Sequence, residues 1–261
     1  MKIVNIYRKN TSNTGDRFST PTKYFDFLKN VKTLDITELP LDEFLKEIEG
    51  NIVIFGGGGF LGQDYFKDYV KVLLEAKTEL LVGWGIGHNI HGASDILYDS
   101  YNYSEKFDLL GVRDSVSYFK WVPCVSCMHP IFDKTFETKN RAVIYEHKNF
   151  PLKNLGLDFP KMKNGDSFEE IINFLGSAEL VITNSYHGAY WATLLKRRVV
   201  IVQPFSTKFF GFKHPLVVAN QFDISDIENV PIYPEALKEA RIANLRFAGT
   251  VKKMIGELNN K

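Results

Sequence analysis

Apolar residues fall along this chain in two alternating patterns. The runs KIVNIY, NIVIF and ELLVGWGIG are apolar almost without a break, as parallel strands buried on both faces are. Between them, LDEFLKEI places Leu41, Phe44, Leu45 and Ile48 at helical spacing, and DYFKDYVKVLLEAK carries the same period. YFDFLKN reads as a further helix and VKTLDI as a further strand. FDLLGVRD follows, then a short helix over SVSYFKW. Strand and helix patterns in alternation predict βαβ units.

After PIFDKTFETKN the alternation restarts. RAVIYEH is a strand. SFEEIINFLGSA is a helix with Ser167 as N-cap and Glu170 three residues on. ELVITNS, YHGAYWATLLK and RRVVIVQ read strand, helix, strand. The charged stretch near Asp133–Asn140 marks a boundary, so the chain divides into residues 1–138 and 139–261, each a small Rossmann-like, doubly wound α/β half. The second half carries a long C-terminal helix whose apolar stripe is Leu237, Leu245, Ala248, Val251, Ile255 and Leu258. That helix is expected to dock on the protein itself, with a membrane surface as the alternative. Ligands of such sheets bind at the carboxyl ends of the strands, so the cleft between the halves is the expected site.

Composition narrows the function classes only modestly. The 261 residues include 44% hydrophobic and 24% charged positions, and the net charge is +1. No global field steers the chain to nucleic acid. The expectation is a cytoplasmic protein: no apolar run reaches a membrane span, and the N-terminal apolar stretch is too short for a signal peptide. Aromatic residues are frequent, with 21 Phe and 12 Tyr. They can fill cores or line saccharide clefts.

Several short segments could carry chemistry. FGGGGFLG holds Gly57, Gly59 and Gly62 at the G-x-G-x-x-G spacing, after a strand and before an expected helix. No acidic residue stands at the usual distance beyond, which argues against a nicotinamide cofactor; the glycines can instead bring backbone close to backbone or to an anion. GWGIGHNIHG offers His88 and His91, with no third metal ligand at a fixed spacing. WVPCVSCMHP offers Cys124, Cys127 and His129, but zinc needs four ligands and there is no second C-x-x-C, so two thiols buried in a core or pocket wall are expected. No metal site is expected. NTSNTGDRFSTP, with Asn13, Gly15 and Asp16, is a βα loop at the carboxyl edge of the first sheet. His187 stands at a strand-to-helix turn, flanked by Asn184, Ser185 and Gly188. Alone, it reads equally as a cap-region histidine or a functional one.

Taken in order, these segments resemble the polysaccharide pyruvyl transferase family. The carriers are Asn13–Asp16 (NTGD), IFGGGGFLG, GWGIG, GVRDSVS at Gly111–Ser117, and VITNSYHGAYWATLLKRRVVIV. The resemblance implies two halves arranged as in GT-B glycosyltransferases. It implies phosphoenolpyruvate as donor, no cofactor, and a saccharide acceptor, free or lipid-linked, of a surface polysaccharide. The product would be a pyruvate ketal on two hydroxyls, with phosphate released. His187 would serve as the main acid–base residue, with Asp16 and Asp114 as further candidates. Arg113, Lys208, Lys213, Ser185 and the backbone of Gly57, Gly58 and Gly59 would hold the donor; Asn13, Arg17 and His88 would meet the acceptor. The sequence departs from many members in one place, because Ser185 occupies the position of an arginine two residues before the histidine. Two readings stand beside it: a GT-B-type glycosyltransferase using a nucleotide sugar, and a non-catalytic saccharide-binding protein.

Overall fold

The structure, a computed structural model, describes residues 1–92, 104–115, 118–219 and 223–260. It contains two parallel sheets with helices on their faces, an α/β fold of Rossmann-like type. In the first sheet, β1 (Ile3–Tyr7) pairs with β2 (Lys32–Asp35) on one side and β3 (Ile52–Phe55) on the other. The short β4 (Gly58–Leu61) pairs beside β5 (Leu80–His88), which continues the sheet from β3 to β6 (Leu109–Val112) and β7 (Lys120–Trp121). The second sheet places β8 (Asn140–Glu146) between β9 (Lys161–Lys163) and β10 (Ala178–Thr183), then β11 (Arg198–Val202) and β12 (Val217–Ala219).

The unbroken apolar runs are explained by which face each residue covers. In β3, Ile52 and Ile54 enter one apolar cluster while Val53 and Phe55 enter another on the opposite face. In β11, Val199 and Ile201 face one cluster, Val200 and Val202 the other. A strand covered on both faces admits a polar residue only where its hydrogen bonds are met, as for Asn5 of β1, which donates to the Ile54 carbonyl (2.9 Å).

Helix α1 (Thr14–Arg17) is a single turn after β1, capped by Asn13. Helix α2 (Leu41–Ile48) matches its expected span, with Phe44 and Ile48 fully buried, and α3 (Lys67–Glu75) packs beside it. Helix α4 (Phe168–Gly176) carries the expected capping box between Ser167 and Glu170. Helix α5 (Tyr186–Leu194) is buried at all nine residues, wedged among α4, β10, β11 and the long α6 (Ala236–Asn259). A helix without a polar face belongs inside.

Four expectations are corrected. YFDFLKN forms one 3-10 turn, Asp26–Leu28, preceded by another at Pro21–Lys23, and not an α-helix. The described part of SVSYFKW, residues 118–121, runs through a turn into β7; Val116 and Ser117 lie outside the described residues. The glycine-rich segment opens strand β4 and not a helix, which removes the helix N-terminus a dinucleotide fingerprint needs. Helix α6 does not stay with the second half: Ala236 and Ala240 touch the core of the second sheet, whereas Phe247, Val251 and Ile255 pack on the first. Its buried stripe runs through Ala240, Asn244, Phe247, Val251 and Ile255, and Leu245 points to solvent at 54% exposure. Asn244 belongs in that stripe because it is satisfied there: it accepts from the Trp84 indole (2.9 Å) and donates to the Pro123 carbonyl (3.1 Å).

Candidate active site

Each sheet reverses its winding once, β2-β1-β3 in the first and β9-β8-β10 in the second. Crevices for ligands open at the carboxyl ends of strands at such points. Here both points face one cleft of about 200 Å3. From the first sheet come Asn13, Asp16, Gly58 and Gly59; from the second come His147, Ser185 and His187; Arg113 and Lys208 complete the wall. Two seams tie the halves together beside it. Thr14 donates its hydroxyl to the Asp166 carbonyl (2.8 Å) and Asn164 donates to Asn13 Oδ1 (2.8 Å). On the other side, Gly92 N donates to the Phe205 carbonyl and Thr207 N to the Ile90 carbonyl, each at 3.0 Å.

His187 is 5% exposed, held deeper than a residue at a cleft edge would be. The Ser185 hydroxyl caps α5 by accepting from Gly188 N (3.3 Å), which sets the turn that aims His187 inward. Nε2 lies 3.6 Å from Cys124 Sγ, and the ring tilts over Trp191 with centroids 5.1 Å apart. Behind the other nitrogen is Gly15: a Cβ there would lie 1.9 Å from Nδ1. Burial, reinforced by Arg113 and Lys208, holds the imidazole pKa well below its ordinary value. The ring is therefore neutral at neutral pH, a proton acceptor and not a resting acid.

Arg113 leaves β6 and is 4% exposed. Its guanidinium lies 3.9 Å from the Tyr186 ring centroid, and Nη2 donates to the His88 carbonyl (3.2 Å). Nε has no hydrogen-bond partner among the described residues. The glycine runs make the space for this side chain. A Cβ at Gly59 would lie 2.9 Å from Nη2, and one at Gly87 would lie 2.5 Å from Nε. Lys208 is 7% exposed, its ammonium over the rings of Phe205 (4.3 Å) and Phe209 (5.1 Å), with no ion pair among the described residues. Burial and the nearby Arg113 lower its pKa to about 7, against the pull of Asp16. Asp16 is raised to about 6 by burial, although Arg113 and Lys208 favour its charged form. The cleft thus holds Arg113 and Lys208, which have no salt bridge among the described residues, one carboxyl group that titrates near neutrality, and three imidazoles, His91, His147 and His187, whose pKa values burial lowers. That combination can take an anion and move a proton.

Of the residues singled out in the sequence, Asn13, Asp16, Gly58, Gly59, Arg113, Ser185, His187 and Lys208 line the cleft. Five do not. Gly57 lies under the wall, its N–H donating to the Ser19 carbonyl. Asp114 accepts from His88 N (2.7 Å) behind Arg113, so it braces the wall. His88 itself is fully buried. Arg17 donates to the Thr14 hydroxyl (3.0 Å), and Lys213 pairs with Glu239 of α6 (2.8 Å) on another surface. The sequence reading missed His147 and Phe150. One signal was available: His147 directly follows β8 as His187 follows β10, at the two strands that flank the same switch point. Cys124 and Cys127 are free and buried, and burial pushes the Cys127 thiol up to about 12. No three His, Cys, Asp or Glu side chains among the described residues group to hold a metal, and no helix among them is long and apolar enough to cross a membrane.

No family model matches the chain, and no curated protein matches it. Among solved structures, a functionally uncharacterized protein from Klebsiella pneumoniae aligns at 18% identity over 78% of this chain and 83% of its own, with a TM-score of 0.47. At that level the likeness carries no argument about function.

Proposed function

We propose that this chain is a cytoplasmic pyruvyltransferase, its halves set about the cleft as in GT-B glycosyltransferases. It would transfer the pyruvyl group of phosphoenolpyruvate to two hydroxyls of a saccharide. The observation that carries the reading is the pair Arg113 and Lys208, buried without a salt bridge among the described residues, beside Asp16 and His187 where both sheets end. A buried cation without a counter-ion is costly, and a phosphate or carboxylate ligand relieves that cost. The sequence resemblance to the polysaccharide pyruvyl transferase family points to the same donor.

In the reaction, a proton is delivered to the methylene carbon of the donor, making it a methyl group. An acceptor hydroxyl oxygen bonds to C2 and loses its proton. The C2–O bond to phosphate then breaks, the phosphate leaving with the bond electrons. The second hydroxyl bonds to C2 and gives up its proton. Asp16 is protonated often enough near neutrality to supply the first proton, and neutral His187 can accept one from a hydroxyl. The donor's negative charge would offset Arg113 and Lys208, raising the basicity of His187 when it is needed. No cofactor enters this scheme.

The test is incubation with phosphoenolpyruvate and a panel of methyl hexopyranosides, measuring phosphate release and the mass of the pyruvylated glycoside. Thermal shift with phosphoenolpyruvate and, separately, with nucleotide sugars provides the binding control, since ligand at 100 times its Kd adds about 2.7 kcal/mol. Stabilisation by a nucleotide sugar alone would replace this reading with glycosyl transfer; stabilisation by neither would leave a non-catalytic saccharide-binding role.

A further inference from the structure

A group of packed rings, Phe150 and Phe205 with His91 and His147, reaches the cleft. Phe150 and Phe205 stack with centroids 4.1 Å apart at 22°. Phe205 is covered on its far side by Phe209 and the Lys208 ammonium. Phe150 is the ring of the pair that lines the cleft, and it is 38% exposed. An exposed phenylalanine on a loop is ordinarily loose, but this one is fixed. Asn184, 2% exposed, accepts from His147 N (2.8 Å) and donates to the Phe150 carbonyl (2.6 Å), clamping both ends of the turn between them. His91 meets both rings edge-on, at 5.6 and 5.5 Å. Asn184 also precedes the cap of α5, so the strand end that aims His187 also sets the ring.

We propose that Phe150, backed by Phe205, is the platform on which a pyranose ring of the acceptor stacks, with Asn184 as its positioning residue. This rests on the pyruvyltransferase reading for the acceptor's role. A pyranose has an apolar C–H face and a rim of hydroxyls. His91 and His147 lie against Phe150, the Asn149 side chain beside it in sequence has no protein partner among the described residues, and the same cleft holds the side-chain amides of Gln63 and Asn89. Uncharged amides and neutral imidazoles in the cleft suit hydroxyls and leave the charged donor to Arg113 and Lys208.

Saturation-transfer NMR with methyl β-galactopyranoside, methyl β-glucopyranoside and methyl α-mannopyranoside, with and without phosphoenolpyruvate, tests this. Transfer should concentrate on the ring C–H protons of one face. Phe150→Leu keeps the bulk and loses the flat ring, and should weaken glycoside binding about 10-fold; Phe150→Trp should retain it. The thermal shift with phosphoenolpyruvate should be the same in all three proteins. No transfer from the wild type to any glycoside overturns the proposal, as does equal transfer from Phe150→Leu, or transfer to uridine or guanosine alone. If the glycosides behave as expected but phosphoenolpyruvate gives no shift, the donor reading fails and the platform stands. If the donor shift is present but glycoside binding ignores Phe150, the platform alone fails.

Discussion

Gly15→Ala sets two magnitudes against each other. Gly15 lies in α1, outside the positive-φ region, so alanine fits the backbone there. Helix propensity, which already includes the stiffer unfolded chain, should favour alanine by about 0.4–1 kcal/mol. Against this, the new methyl would sit 1.9 Å from His187 Nδ1 and 2.3 Å from Cγ. Ordinary contact lies near 3.5 Å, so ring or turn must move by roughly 1.5 Å. The ring has little room to retreat, because Cys124 Sγ stands 3.6 Å from its other nitrogen and Trp191 underlies it. Overpacking of this kind costs about 1–3 kcal/mol. The clash should win, with net destabilisation of about 0.5–2 kcal/mol in urea denaturation. Turnover should drop on the order of 100-fold, as when a reacting group is misplaced by 1 Å. The decisive measurement is the double-mutant cycle. In a His187→Ala background the three atoms nearest the methyl are gone, and Gly15→Ala should become far less costly or stabilising. If Gly15→Ala stabilises the wild type as much as it does that background, the packing argument for the glycine is wrong.

Arg113→Ala should raise the KM for phosphoenolpyruvate by roughly 10- to 150-fold, the loss of one charge-assisted contact. Arg113→Lys should restore little, because a guanidinium stacked on Tyr186 is not replaced by an ammonium; unchanged donor dependence in either would remove Arg113 from the site. His187→Ala should lower kcat by about 10²–10⁴, and His187→Gln should not recover it if the ring carries a proton; normal turnover by both would end the catalytic assignment. The pH profile of kcat/KM should fall as pH rises past about 6–7, because Asp16 must be protonated to give its proton and Lys208 charged to hold the donor; a flat profile between pH 6 and 8 would refute both roles. For stability the Lys208 sign is opposite. Its folded pKa is lowered, so the cost of burying its charge is full below about pH 7 and fades as pH rises toward the ordinary lysine value. Lys208→Met should therefore stabilise most at pH 6 and progressively less toward pH 10, as read by urea titration. Cys124 and Cys127, both buried with raised pKa values, should resist iodoacetamide in the folded protein and react fully in urea; fast alkylation of the native protein would contradict their burial.

Much of the architecture was legible because its signals are local. Leu41, Phe44, Leu45 and Ile48 report a helix by their spacing alone, and the capping box at Ser167 and Glu170 needs only four consecutive residues. An apolar run such as NIVIF announces a strand covered on both faces whatever does the covering. Those same signals locate the strand ends, and hence His187, Asp16 and Arg113 at one edge.

What lies opposite what was decided only in three dimensions. On α6, Leu245 and Phe247 are equally apolar in sequence, but the angle at which the helix crosses the first sheet buries Phe247 and exposes Leu245. His88 and His91 stand three residues apart; the pairing of β4 with β5 buries His88, and the exit loop brings His91 to the cleft. Lys208 and Lys213 are two lysines of one segment, and only the position of Glu239 draws the second away. The contact of Gly15 with His187, the cleft between two switch points, and the ring of Phe150 held by Asn184 each join residues far apart in the chain. Their distances depend on how two sheets settle against each other, which no local period encodes. The chain specifies its elements through patterns a few residues long, and its candidate site through packing that spans both halves.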